Sequence, residues 1–191
     1  AAVLAGCGKS APRLAPLATD AVVLAFGDSL TFGTGAAAAQ SYPAELERLS
    51  GRKVVSAGVP GEVSASGLAR LPAVLDRVRP QLLILCHGGN DILRKLDSAA
   101  LAGNLRAMVR LARDRGVAVV LIAVPKPGLF PSANPIYAEI AAEFGLPIEP
   151  DALVDILTNN ELKSDPIHPN AQGYTLLAKR VAELLKKAQA L

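Results

Sequence analysis

Short runs with strand character alternate along the chain with longer amphipathic stretches. Val22–Phe26, Lys53–Ser56, Leu82–Cys86 and Val117–Val124 are rich in aliphatic and β-branched residues, and each is followed by glycine or polar residues, as strands are. A weak fifth strand is expected near Pro147-Ile148. Between these runs, apolar residues recur at helical spacing over Tyr42–Leu49, Ser64–Val78, Ala99–Arg115, Asn134–Phe144 and Asn170–Ala190. Leu105, Met108, Val109 and Ala112 form one stripe, with Gly116 expected at the C-cap of that helix. Leu176, Leu177, Val181, Leu184 and Leu185 form another, and both stripes are core positions. Crossovers of this length require parallel strands with right-handed connections. The expected fold is α/β: a three-layer α/β/α, doubly wound, flavodoxin-like sheet of about five parallel strands. Ala36–Ala39 fits a loop or the start of a helix, and internal repeats are absent.

Composition supports a folded core. Hydrophobic residues make up 51% of the 191 and charged ones 19%, enough apolar material to cover both faces of a sheet within one domain. The net charge of +3 comes from scattered Lys and Arg, paired only modestly at Lys179-Arg180 and Lys186-Lys187, so no nucleic-acid partner is indicated. Two cysteines give no disulfide framework, and Cys86, inside a strand, reads as a small core residue.

At the N-terminus, Leu4-Ala5-Gly6-Cys7 resembles the lipobox of bacterial lipoproteins. That resemblance implies that residues 1–6 are the tail of a signal peptide, that Cys7 carries lipid, and that Ala11–Pro16 is a tether. The chain then divides into residues 1–20, holding leader remnant, lipobox and tether, and a single domain at 21–191. The implied setting is the bacterial cell envelope, as a periplasmic lipoprotein held to a membrane through Cys7. The alternative is an apolar tail with an incidental cysteine.

Candidate chemistry lies just after the strands. Gly27-Asp28-Ser29 follows the first, Ala57-Gly58-Val59-Pro60-Gly61-Glu62 the second, and His87-Gly88-Gly89-Asn90-Asp91 the third. In a parallel sheet these positions share one edge, so Ser29, Gly61 and Asn90 converge there. Gly27-Asp28-Ser29 alone equally fits a capped turn. Only two histidines occur. One of them, His168, follows Asp165 by three residues and stands before Pro169, a spacing at which a carboxylate can orient an imidazole and make it a base for serine. Asp165-Pro166-Ile167-His168 as half of a metal site finds no acidic cluster to complete it, so neither metal nor cofactor is expected. Gly33-Thr34-Gly35 fits part of a dinucleotide fingerprint but does not directly follow its strand, and Gly8-Lys9-Ser10 lacks the first glycine of a P-loop. The G-x-S-x-G elbow is also absent.

Gly27-Asp28-Ser29-Leu30, Gly61, Gly88-Gly89-Asn90-Asp91 and Asp165-Pro166-Ile167-His168 resemble, in order, the four blocks of the GDSL or SGNH hydrolases. Gly67-Leu68-Ala69-Arg70-Leu71-Pro72 and His168-Pro169-Asn170 are similar to the bacterial arylesterase, acyl-thioesterase and lysophospholipase branch. The resemblance implies Ser29 as nucleophile, His168 as general base and Asp165 as its orienting acid. The oxyanion hole would be the backbone N–H groups of Ser29 and Gly61 with the side-chain amide of Asn90. The implied activity is a serine esterase acting on small acyl esters, with thioesters and lysophospholipids as further substrates and no obligate protein partner. A carbohydrate O-acetyl esterase acting on cell-wall glycan and a non-catalytic ligand-binding lipoprotein are the alternatives.

The chain departs from the family pattern at Ser56, Pro60 and Glu62, and at His87 before the two glycines. His87 is expected either to line the pocket or to be satisfied by neighbouring backbone. Asp28 and Asp91 are expected to bond within their own loops, and Tyr42-Pro43 to pack. Leu129 and Phe130, in the proline-rich loop after the fourth strand, are candidates to wall the acyl pocket.

Overall fold

A computed structural model describes residues 12–126, 128 and 131–191. Cys7, Leu129 and Phe130, expected to carry lipid and to wall the pocket, lie outside the described residues. Five parallel strands, β1 (Val22–Gly27), β2 (Lys53–Gly58), β3 (Leu82–Cys86), β4 (Ala118–Ile122) and β5 (Ile148–Glu149), form one sheet in the order β2-β1-β3-β4-β5. β3 is buried at every position and β1 at all but its first, because helices cover both faces of the sheet centre. β2, at an edge, is only half covered. β5 pairs with β4 through two residues, and β4 is shorter than its apolar run, since its partner ends at Glu149.

The longer helices follow the expected stripes. α2 (Tyr42–Ser50) packs on α8 (Ala171–Lys187), while α3 (Ser64–Val78) packs on α5 (Ser98–Arg113), which also meets α6 (Pro135–Phe144). Tyr42 and Pro43 are buried, as a packing role requires. The end of α5 differs from expectation: Asp114 is the cap, and Gly116, at φ +72°, lies two residues further on, where the chain turns into Val117. Three further helices, α1 (Ser29–Phe32), α4 (Gly89–Leu93) and α7 (Ala152–Thr158), and a 3-10 turn at Ala38–Gln40 complete the elements used below. Residues expected as tether lie against the fold: the N–H groups of Leu14 and Leu17 donate to the carbonyls of Ala188 and Ala190.

Strand order fixes where a site can form. From β1 the chain passes to β2 on one side and then to β3 on the other, so the helices leaving β1 and β3 diverge and a crevice opens at their C-terminal ends. α1 and α4 begin at that crevice, bringing Ser29 and Asn90 to its two sides.

Candidate active site

Ser29 opens α1 immediately after β1. Asp28 caps that helix, its Oδ1 accepting from the Leu30 N–H at 3.1 Å, while Oδ2 accepts from the Gly89 N–H at 3.2 Å. Asp28 therefore ties the loop after β1 to the loop after β3, a wider reach than a bond within its own loop. It is almost fully buried, and burial raises its pKa; the nearby histidines and the two N–H donors offset this only in part. Asp91 also reaches beyond its loop, accepting from the N–H of Ser64 at 2.8 Å and from its hydroxyl at 2.5 Å at the start of α3.

His168 meets Ser29 from the loop before α8. Its Nε2 lies 3.0 Å from Ser29 Oγ, and its Nδ1 lies 2.7 Å from Asp165 Oδ2. The other Asp165 oxygen accepts the backbone N–H groups of Ile167 and His168, both at 2.8 Å. With Nδ1–H given to the carboxylate, Nε2 is left to accept the serine hydroxyl. Partial burial alone would raise the Asp165 pKa, but the His168 hydrogen bond and the two backbone donors outweigh it and hold the carboxyl below its ordinary value. The loop is fixed at both ends: Ser164 N–H donates to the His168 carbonyl at 2.9 Å, and Asn170 caps α8 by accepting from Gly173 N–H at 3.0 Å.

Asn90 Nδ2 donates to the Glu62 carbonyl at 3.0 Å and, at the longer distance of 3.5 Å, to Asp28 Oδ2, and the residue lines the crevice. Among the described residues, the N–H groups of Ser29 and Gly61 have no protein acceptor. Gly61 adopts φ +77°, a conformation that glycine reaches without strain, and its carbonyl accepts from Arg94 Nη2 at 2.9 Å. Gly61 does not itself line the cleft beside Ser29. That cleft, open to solvent, is lined by Ser29, Asn90 and His168 together with the apolar side chains of Leu30, Leu93, Val124, Pro125, Leu157 and Ile167.

His87 departs from both expectations. It is fully buried and lines no part of the cleft, and its ring bonds to a side chain, with Nε2 3.0 Å from Glu62 Oε2. The backbone contact at this residue runs the other way: the Tyr137 hydroxyl donates to the His87 carbonyl at 2.7 Å. Arg70, quoted above only as part of a motif, donates through Nε to Glu62 Oε1 at 2.7 Å and through Nη2 to Oε2 at 2.8 Å. An arginine directly before the apolar position Leu71 of α3 was the available signal for it. Burial would raise the Glu62 pKa, but hydrogen bonds from Arg70 and His87 prevail and hold it below the ordinary value. Among the described residues no group of three or more His, Cys, Asp or Glu is placed to hold a metal ion, and no helix is long and apolar enough to cross a membrane.

A flavodoxin-like sheet with hydroxyl, imidazole and carboxylate hydrogen-bonded in series at its switch point defines a serine-type ester hydrolase. The family model of GDSL-like lipases and acylhydrolases matches residues 25–176, and the chain belongs to that family. It is 32% identical over 200 residues to esterase TesA of Pseudomonas aeruginosa, covering 97% of this chain and 98% of that protein. It is 29% identical over 172 residues to thioesterase 1/protease 1/lysophospholipase L1 of Escherichia coli, covering 86% and 83% respectively. The crystal structure of TesA superposes with a TM-score of 0.78 at 31% identity, covering 87% of this chain and 99% of that one.

Proposed function

We infer that the chain hydrolyses acyl esters through an acyl-enzyme on Ser29. The observation that carries this reading is the 3.0 Å contact between Ser29 Oγ and His168 Nε2 in the lining of a largely apolar cleft. As Ser29 Oγ attacks the ester carbonyl, His168 takes its proton, and the imidazolium is stabilised by Asp165. Charge on the former carbonyl oxygen is met by the N–H groups of Ser29 and Gly61 and by Asn90 Nδ2. Collapse of this intermediate returns the proton from His168 to the leaving alcohol or thiol. Water, deprotonated by the same imidazole, then attacks the acyl-serine, and Ser29 recovers its proton as the carboxylic acid leaves.

The apolar walls favour an acyl chain over the polar face of a sugar, so acyl esters, thioesters and lysophospholipids are the preferred substrates. The names of the relatives, esterase and thioesterase/lysophospholipase, agree with that choice. In this reading residues 21–191 form the catalytic domain, and lipid on Cys7 holds it at a membrane of the cell envelope.

The test is hydrolysis of p-nitrophenyl esters from acetate to palmitate by the wild type and by Ser29→Ala, with folding of both checked by circular dichroism. Activity that disappears in the variant is the expected result, with an optimum beyond acetate. An optimum at acetate favours the carbohydrate deacetylase, and equal activity in the two proteins, or none in either, removes the serine-esterase reading.

A further inference from the structure

The loops that carry Gly61 and Asn90 are clasped by side chains that do not line the cleft. Glu62 follows Gly61, and His87 begins the segment that leads to Asn90, so the His87–Glu62 contact at 3.0 Å bridges the loop after β2 to the loop after β3. A second bridge, from Asn90 Nδ2 to the Glu62 carbonyl at 3.0 Å, joins the same two loops. Arg70 fixes the assembly to the sheet. Besides its two bonds to Glu62, its Nη2 donates to the carbonyls of Ala57 at 2.8 Å and Gly27 at 3.2 Å, the ends of β2 and β1. Its guanidinium also lies 4.0 Å from the centre of the Phe26 ring.

His87 is held there at a cost. Its Nδ1 is buried with no partner, a penalty that an aliphatic residue at this position would avoid. Room for the ring exists only because α3 carries glycine at position 67, where a Cβ would stand 2.3 Å from His87 Nε2. A packing role alone does not call for an imidazole in such a place; a donor to the Glu62 carboxylate does.

We propose that His87, Glu62 and Arg70 are positioning residues that set the aim of the Gly61 N–H and the Asn90 amide at the developing oxyanion. The proposal rests on the reading of Gly61 and Asn90 as oxyanion donors. Donors act on the transition state only when preorganised, so loosening the clasp lowers kcat and leaves KM in place.

Steady-state kinetics on p-nitrophenyl butyrate, with thermal unfolding of each protein, test it. His87→Leu is expected to lower kcat about tenfold with KM changed by less than about twofold, as loss of a charge-assisted bond supporting the donors. His87→Gln, whose amide N–H can serve the same carboxylate, recovers most of that loss. Asn90→Ala costs about 10²- to 10³-fold, and His87→Leu added to it costs at most about threefold more. Glu62→Gln, which keeps the side-chain size, repeats the pattern if His87→Leu does not fold. Full additivity with Asn90→Ala, a change confined to KM, or a His87→Gln as slow as His87→Leu overturns the proposal while the oxyanion reading stands. An Asn90→Ala enzyme as fast as the wild type removes the oxyanion reading itself.

Discussion

Asp165 holds His168 twice, receiving its ring Nδ1–H on Oδ2 at 2.7 Å and its backbone N–H on Oδ1 at 2.8 Å. The carboxylate thus fixes both the tautomer of the imidazole and the turn that presents it. Asp165→Asn keeps an acceptor for the backbone but sets an amide N–H against the ring, favouring the tautomer that cannot take the serine proton. Since the Asp165 side chain is 42% exposed, water can take over part of its work. The expected loss in kcat is about 10²- to 10³-fold, with KM little changed, in steady-state assays of the two proteins. The folded-state pKa of Asp165 lies below its ordinary 3.8, so its ionisation should not contribute to the acid limb of the rate profile above about pH 4.

Glu62 makes the fold less stable in acid. Its folded-state pKa is lowered from 4.5, so the stability it contributes is complete above that value and is lost as pH falls through the folded pKa. Glu62→Gln lacks this dependence. Urea denaturation of both proteins should show a difference in stability that is constant from neutral pH to about pH 5.5 and narrows below pH 4.5. A gap that stays constant through the acid range would show that Glu62 is not linked to folding through its charge.

Long elements were legible in the sequence because periodicity accumulates over them. Ser64–Val78 and Leu82–Cys86 have the expected bounds, one with four turns of apolar stripe and the other with an unbroken aliphatic run. α1, α4 and α7, of 4, 5 and 7 residues, are too short to carry a stripe, and they form because Asp28 and the loop ends cap them or because they pack on neighbours. Convergence of Ser29 and Asn90 followed from the parallel strands, His168 was brought to Ser29 only by the family resemblance, and Gly61, expected at the same edge, does not line the cleft. The partner of His87 was not legible, since the Glu62 carboxylate reaches it from another loop, and contacts between loops leave no period in the chain.

Gly67 offers a direct test of packing around the imidazole. Alanine normally stabilises a helix interior by about 1 kcal/mol relative to glycine. Here the added Cβ would lie 2.3 Å from His87 Nε2 and 2.9 Å from Cδ2, against a fully buried ring with little freedom to move. Overpacking of this kind costs about 1–3 kcal/mol, so Gly67→Ala should be neutral to destabilising by about 2 kcal/mol. In a His87→Ala background these ring contacts are gone, and the same substitution should stabilise. Chemical denaturation of the four proteins of this cycle measures the sign change, and its absence would place the strain elsewhere.

The cleft beside Ser29 is walled by aliphatic side chains, and Leu93, 42% exposed on α4, stands at it with apolar surface still to cover. A bound acyl chain covers such surface. Each CH₂ removed from water contributes about 0.8 kcal/mol, so kcat/KM should rise up to about fourfold per added methylene. The rise stops where the chain leaves the walls. Leu93→Ala removes part of one wall, and its penalty should grow along the series, reaching about five- to tenfold for octanoate while remaining smallest for acetate. Measuring kcat/KM across p-nitrophenyl esters for both proteins gives that slope. A penalty equal at every length would mean that Leu93 acts on the reacting centre, through the placement of Asn90 three residues before it on α4, and not on the chain that the cleft receives.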